Sequence, residues 1–205
     1  MPKVSIITTV FDRVACLRRC IRSVQRSEYP DLEQIIVSDH PPQALASEIA
    51  ATAMEAGLAY IDLPVRTNDW GHSPASEGLR ASSGDYVCFL SDDNAYLPGH
   101  FGPLVAALET DPGVGFAYSS CQYAGRRELR AAPPAGARID LGQPLFRRSV
   151  LRDVLGDELP GRGSFAWDWE LIHALMVNGV KWKHVDAATF IFRLAAYPQL
   201  VRALA

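Results

Sequence analysis

The sequence predicts an α/β domain built on a mostly parallel sheet with helices on both faces. Three observations predict it. Short runs of β-branched and apolar residues alternate with stretches of helical periodicity, as in Val4-Ser5-Ile6-Ile7-Thr8-Thr9-Val10, Gln34-Ile35-Ile36-Val37-Ser38-Asp39 and Tyr86-Val87-Cys88-Phe89-Leu90. These runs are apolar without clean alternation, which marks strands covered on both sides. The chain of 205 residues is 48% hydrophobic and 21% charged, enough apolar material for one sizeable core.

Taken in order, the first strand runs from Val4 to Val10 and is ended by Phe11-Asp12-Arg13. Val14, Leu17, Ile21 and Val24 then recur at helical spacing. Tyr29-Pro30-Asp31 turns the chain into the second strand, which closes on the carboxylate of Asp39. A helix is expected from about Gln43 to Ala56, stopped by Gly57, with a short strand at Leu58 to Leu63. Ser73 is expected to cap the next helix, which reaches Ser82. The following strand ends in Ser91-Asp92-Asp93-Asn94, and Pro98 blocks further extension.

Beyond Pro98, Phe101, Leu104, Val105 and Leu108 face inward on a helix, and Val114 to Ser119 form another strand. Cys121 to Asp140, with Arg126, Arg127, Arg130 and Arg138, read as a mobile loop: a solvated loop by default, or a lid that meets phosphates. Short strand, helix and loop are expected at 143–146, 148–155 and 157–165. Trp167, Leu171, Ala174 and Leu175 define a helix that stops at Asn178-Gly179, followed by strands at 180–185 and 189–192.

Net charge is −3, so no basic field points to nucleic acid. No apolar run approaches the ~18–20 residues of a membrane span. The apolar start is interrupted by Asp12 and Arg13 and does not read as a signal peptide, and Cys16, Cys20, Cys88 and Cys121 lack CxxC spacing, so reduced core thiols in a cytoplasmic protein are expected.

Parallel order puts the ends of all these strands on one edge, where open α/β sheets bind ligands. Phe11, Asp12, Asp39, Asp92 and Asp93 are thereby brought together. Adjacent carboxylates at the end of a buried strand suit a hard divalent cation that carries a diphosphate. Each also has a plainer reading. Asp92-Asp93 could be a turn and helix cap, Asp39 a turn residue before Pro41-Pro42, and Phe11 a core side chain. Trp70, in a loop beside Gly71, is an exposed aromatic able to stack on a sugar, and His40 is a weaker candidate for base or phosphate.

The ordered set resembles the family 2 glycosyltransferases. Val4 to Arg13 is similar to that family's V-S-I-I-x-T-Y-N-R opening, and Ile35-Ile36-Val37-Ser38-Asp39 to its I-V-V-D-D segment. Ala81 to Leu90 resembles A-x-G-E-Y-I-x-F-L leading into the D-x-D region, and Trp167-Asp168-Trp169-Glu170-Leu171 resembles E-D-W-D-L. The Ser91-Asp92-Asp93-Asn94 form looks most like spore-coat polysaccharide glycosyltransferases.

The resemblance implies a GT-A fold, with a single domain over 1–205: a nucleotide-binding half at 1–98 and an acceptor-side half at 99–205. It implies that Thr9 and Phe11 hold the nucleobase, that Asp39 hydrogen-bonds it, and that Asp92 holds ribose or sugar. Asp93 would coordinate Mn²⁺ or Mg²⁺, and Asp168 would be the base that deprotonates the acceptor, giving inverting transfer. The donor would be a UDP-, GDP- or dTDP-sugar and the acceptor a saccharide or small molecule, and a homodimer is allowed. A non-catalytic sugar-nucleotide-binding domain and a nucleotidyltransferase remain as alternatives. Asp168 also sits in the first turn of a helix, where the dipole stabilises a carboxylate by ~0.3–1 kcal/mol whatever its role.

Overall fold

The structure is a computed structural model that describes residues 1–123, 127–129, 132–136, 138–156, 158–196 and 198–204. Its first half winds as strand and helix in turn: β1 (Val4–Val10), α1 (Val14–Gln25), β2 (Leu32–Ser38), α2 (Gln43–Glu55), β3 (Ala59–Asp62), α3 (His72–Ala81) and β4 (Tyr86–Ser91). The second half adds β5 (Ala95–Tyr96), α4 (Phe101–Thr110), β6 (Val114–Tyr123), β7 (Arg127–Leu129), β8 (Pro144–Arg147), α5 (Arg148–Leu155), α6 (Trp167–Val177), β9 (Lys181–Phe192) and α7 (Pro198–Ala203).

The sheet order is β3-β2-β1-β4-β8-β6-β9-β5, with β7 paired to β6. β3, β2, β1 and β4 are mutually parallel, and β9 is parallel to β6. β8 runs antiparallel between β4 and β6. Alternate side chains of β1 feed opposite faces, as the period of two requires. Ile6 packs with Cys20 and Val24 of α1 and with α4, whereas Ile7 packs with Ala75 of α3 and with Leu171 and Leu175 of α6. Helices therefore cover both faces, and β1 is buried from both sides.

Four details differ from the sequence reading. The acidic turn after β4 is followed by the two-residue β5, antiparallel to β9, so the turn is tight. The expected loop at 121–140 includes β7, hydrogen-bonded to the end of β6. Arg126 and Arg130, and the side chain of Arg127, lie outside the described residues. The two strands expected at 180–185 and 189–192 are one strand with irregular register, because β6 supplies a continuous partner from Val114 to Tyr123. Ser73 does not cap α3. Gly71 takes that position at φ +83°, and the Asp69 carboxylate accepts the Ser73 backbone N–H and the Ser73 hydroxyl. Among the described residues no helix is long and apolar enough to cross a membrane.

Candidate functional site

The register of the parallel strands fixes the site before any side chain is considered. Val10 lies opposite Ser38 and Thr9 opposite Ser91, so β1, β2 and β4 run out together. Two backbone bonds extend the pairing past the strands: Asp39 N–H to the Val10 carbonyl and Asp92 N–H to the Thr9 carbonyl, both 3.2 Å. The order in which strands are added reverses about β1, since the chain goes to β2 and β3 on one side and β4 lies on the other. The crevice at such a switch point is where an open α/β sheet holds its ligand.

Two adjoining cavities occupy this edge. A smaller one of about 360 Å³ is lined by Thr9, Phe11, Asp39, Arg66, Trp70 and Asp92, among others. A larger one of about 480 Å³ is lined by Asp93, Asp140, Phe165, Asp168, Trp169 and Arg193, among others. Thr9, Arg13, Trp70 and Ser91 belong to both walls, so the two form one cleft. Thr9, Phe11, Asp39, Trp70, Asp92, Asp93 and Asp168 all line it. Asp12 does not and is exposed, and the His40 ring Nδ1 instead lies 2.9 Å from the Leu63 carbonyl.

The acidic pair is divided by burial. Asp92 is 0% exposed, whereas Asp93 faces the larger cavity. Arg13 joins them: its Nε donates to Asp92 Oδ2 at 3.1 Å, its Nη2 to Asp92 Oδ1, and its Nη1 to Asp93 Oδ2 at 2.6 Å. Burial pushes the Asp92 carboxyl up to about 7, against the pull of the Arg13 charge. Asp92 is thus held by one cation, while Asp93 keeps an oxygen for another ligand.

Asp39 is buried and already bonded. Its Oδ1 accepts the Thr67 N–H and hydroxyl, both at 2.7 Å, and its Oδ2 accepts the Asn68 N–H at 2.8 Å. It shapes the loop that walls the smaller cavity and retains lone pairs toward it. The ring of Phe11 is covered by Arg66, whose guanidinium carbon lies 4.0 Å from the ring centroid. A planar cation on that face marks a surface suited to a nucleobase.

Asp168 stands in the first turn of α6, and its Oδ1 accepts the Trp169 N–H at 2.7 Å. The dipole of that turn favours the carboxylate, but burial outweighs it and raises the Asp168 pKa, with Glu170 adding to the rise. A raised carboxyl is the direction a proton acceptor for an alcohol requires. Asp140 was hidden in the sequence by its setting of Arg, Pro and Ala. Its Oδ1 accepts the Gly142 N–H at 2.8 Å, and burial, then the charges of Asp168 and Asp93, push it up to about 7. Arg13 and Arg66 also went unassigned, although Arg13 closes the opening motif.

Hard oxygen donors at Asp93 fit a hard cation. Among the described residues no group of three or more His, Cys, Asp or Glu could hold a metal alone. Such an ion would therefore share its coordination with a bound diphosphate and water.

This fold, with its acidic turn at the switch point and a second carboxylate across the cleft, defines a GT-A domain. The chain belongs to glycosyl transferase family 2, whose family model matches residues 5–160. It is 26% identical over 121 residues to the GalNAc(5)-diNAcBac-PP-undecaprenol beta-1,3-glucosyltransferase of Campylobacter jejuni, covering 59% of this chain and 38% of that protein. It is 26% identical over 214 residues to the uncharacterized glycosyltransferase YwdF of Bacillus subtilis, covering 93% and 74%. Among solved structures, mannosyltransferase PcManGT from Pyrobaculum calidifontis, in complex with GDP-Man and Mn²⁺, superposes with a TM-score of 0.76 at 18% identity, covering 94% of this chain and 57% of that one. S. aureus TarS 1-349 in complex with UDP-GlcNAc superposes with a TM-score of 0.70 at 15% identity, covering 93% and 58%. The chain spans less than two thirds of both solved structures and of the Campylobacter protein.

Proposed function

We propose that this chain is a glycosyltransferase that moves a sugar from a nucleotide-diphosphate sugar to an acceptor hydroxyl with inversion, assisted by Mn²⁺ or Mg²⁺. The observation that carries the reading is one cleft with a buried, cation-held acid at one wall and a carboxyl of raised pKa at the other. The two solved neighbours named above hold GDP-Man with Mn²⁺ and UDP-GlcNAc on the same fold, which supports a nucleotide-sugar donor.

In this reading residues 1–98 hold the nucleotide and residues 99–205 the acceptor. Thr9 and Phe11 take the base, with Arg66 moving off the ring, and Asp39 bonds the base edge. Asp92, buried and fixed by Arg13, holds ribose or sugar. A bound divalent cation supplies neutralisation of the charge that grows on the departing diphosphate, and Asp93 would hold it. Asp168 takes the proton of the acceptor hydroxyl as its oxygen bonds to the sugar's anomeric carbon. The bond from that carbon to the diphosphate breaks on the opposite side. Arg13 reaches both cavities and orients Asp92 and Asp93 throughout. The finer form of this proposal is that its Asp-Asp-Asn turn is closest to that of the spore-coat polysaccharide glycosyltransferases.

The test is Asp168→Asn. Transfer is expected to fall by about 100-fold or more, with nucleotide-sugar affinity in the presence of Mn²⁺ retained. Unchanged transfer would remove Asp168 from the chemistry. A wild type that binds donor yet transfers to no acceptor would be a binding domain.

A further inference from the structure

The larger cavity carries a feature that donor binding and proton transfer leave unused. Trp70 and Phe165 are 65% and 75% exposed, yet they touch at its wall. Their ring centroids are 4.9 Å apart at 87°. Two perpendicular rings make a corner with apolar walls, and two large aromatics in contact are a patch rather than scattered surface apolar residues.

Both rings are held. Trp70 adopts φ +60°, a left-handed conformation that costs a bulky residue of order 1–3 kcal/mol. Its carbonyl accepts the indole N–H of Trp167 at 3.0 Å, which anchors the strained residue to α6. Ser164, next to Phe165, is tied twice, by its N–H to the Gly161 carbonyl at 2.8 Å and by its hydroxyl to Glu170. Phe165 is three residues from Asp168, so this corner and the carboxyl share one short segment.

The polar half of the same wall is acidic. Asp140 Oδ1 accepts the Gly142 N–H and Asp168 Oδ1 the Trp169 N–H, and among the described residues neither Oδ2 has a side-chain or backbone donor. An apolar corner beside free carboxylate oxygens matches a pyranose, which shows C–H on its faces and O–H at its rim. Among the described residues, Asp93, Asp140 and Asp168 face this space against Arg13 and Arg193, and Arg13 is already bonded to Asp92 and Asp93. That balance disfavours a sugar with its own negative charge.

We propose that Trp70 and Phe165 form the acceptor subsite, stacking on an uncharged pyranose whose hydroxyls bond to Asp140. The inference deepens the transferase reading and rests on it.

The test uses the whole chain with bound nucleoside diphosphate and Mn²⁺, and saturation-transfer NMR with cellobiose, chitobiose, mannobiose and a glucuronic-acid-terminated disaccharide. Calorimetry first establishes that the wild type binds the nucleotide. Failure there sinks the transferase reading itself. Given nucleotide binding, at least one neutral disaccharide is expected to bind with a dissociation constant of about 10 mM or tighter, with transfer strongest to ring C–H protons. Phe165→Ala is expected to weaken it about tenfold, without changing nucleotide affinity, because Phe165 does not line the smaller cavity. Trp70→Tyr retains most of the affinity, and the glucuronide binds far more weakly. The proposal is overturned if no disaccharide binds, if Phe165→Ala binds as well as wild type, or if the glucuronide binds best. It is equally overturned if phosphatidylcholine vesicles bind at these aromatics in place of sugars.

Discussion

Lowering the pH from 7 to 5 in metal-free buffer should stabilise this protein, the reverse of ordinary acid behaviour. Asp92 and Asp140 are both pushed up to about 7, from an ordinary 3.8, chiefly by burial. Between these values the folded chain binds protons that the unfolded chain does not, so stability is greatest in acid and is lost as pH rises through 7. Over this window each acid contributes about 2 kcal/mol at 1.36 kcal/mol per pK unit. His100 works against them. Burial lowers it to about 3, so the unfolded chain takes its proton first and stability falls with acid by about 2 kcal/mol. The raised Asp168 adds to the acid-stabilised side. The net gain is about 2–3 kcal/mol, or several degrees in Tm. Urea denaturation at pH 5, 6 and 7 measures it, and Asp140→Asn should remove about 2 kcal/mol of the rise. A flat or inverted profile, or an Asp140→Asn profile that overlays the wild type, refutes the reasoning.

Arg13→Ala leaves the fully buried Asp92 without its partner; Arg13 is itself half exposed, so the expected loss at neutral pH is limited to about 1–3 kcal/mol. Denaturant titration reads it, and the loss should shrink in acid as Asp92 takes a proton. Gly78→Ala places a Cβ 2.3 Å from Ile7 Cγ2, where α3 lies on β1. Overpacking should cost about 1–3 kcal/mol despite the better helix propensity of alanine, seen as a lower urea midpoint.

The first half of the fold was legible because each element carries its own signal. The runs at Val4, Gln34 and Tyr86 are apolar on both faces, and parallel order then gathers Phe11, Asp39, Asp92 and Asp93 without coordinates. The second half depends on partners that periodicity does not encode. β5 and β7 are two and three residues long and exist only through β9 and β6. α3 starts at Gly71 because Asp69 reaches Ser73 from outside the helix, a bond that competes with the local signal of Ser73 as a cap. Within the site, carboxylates at strand ends announce themselves. Asp140 does not, because its neighbours Ile139 and Leu141 are buried in one cluster with Phe116 and Tyr118 of β6, Phe146 of β8 and Leu171 of α6, residues that only the fold brings to it. Arg13 was visible in its motif, but its fork onto two acids 79 and 80 residues away is a property of the folded edge.

Isothermal titration of the intact protein with UDP-, GDP- and dTDP-sugars, each with and without Mn²⁺, tests the central claim most directly. One nucleotide class should bind, with affinity that rises when Mn²⁺ is present and loses that rise in Asp93→Asn. Absence of metal-dependent binding to all three would contradict the account.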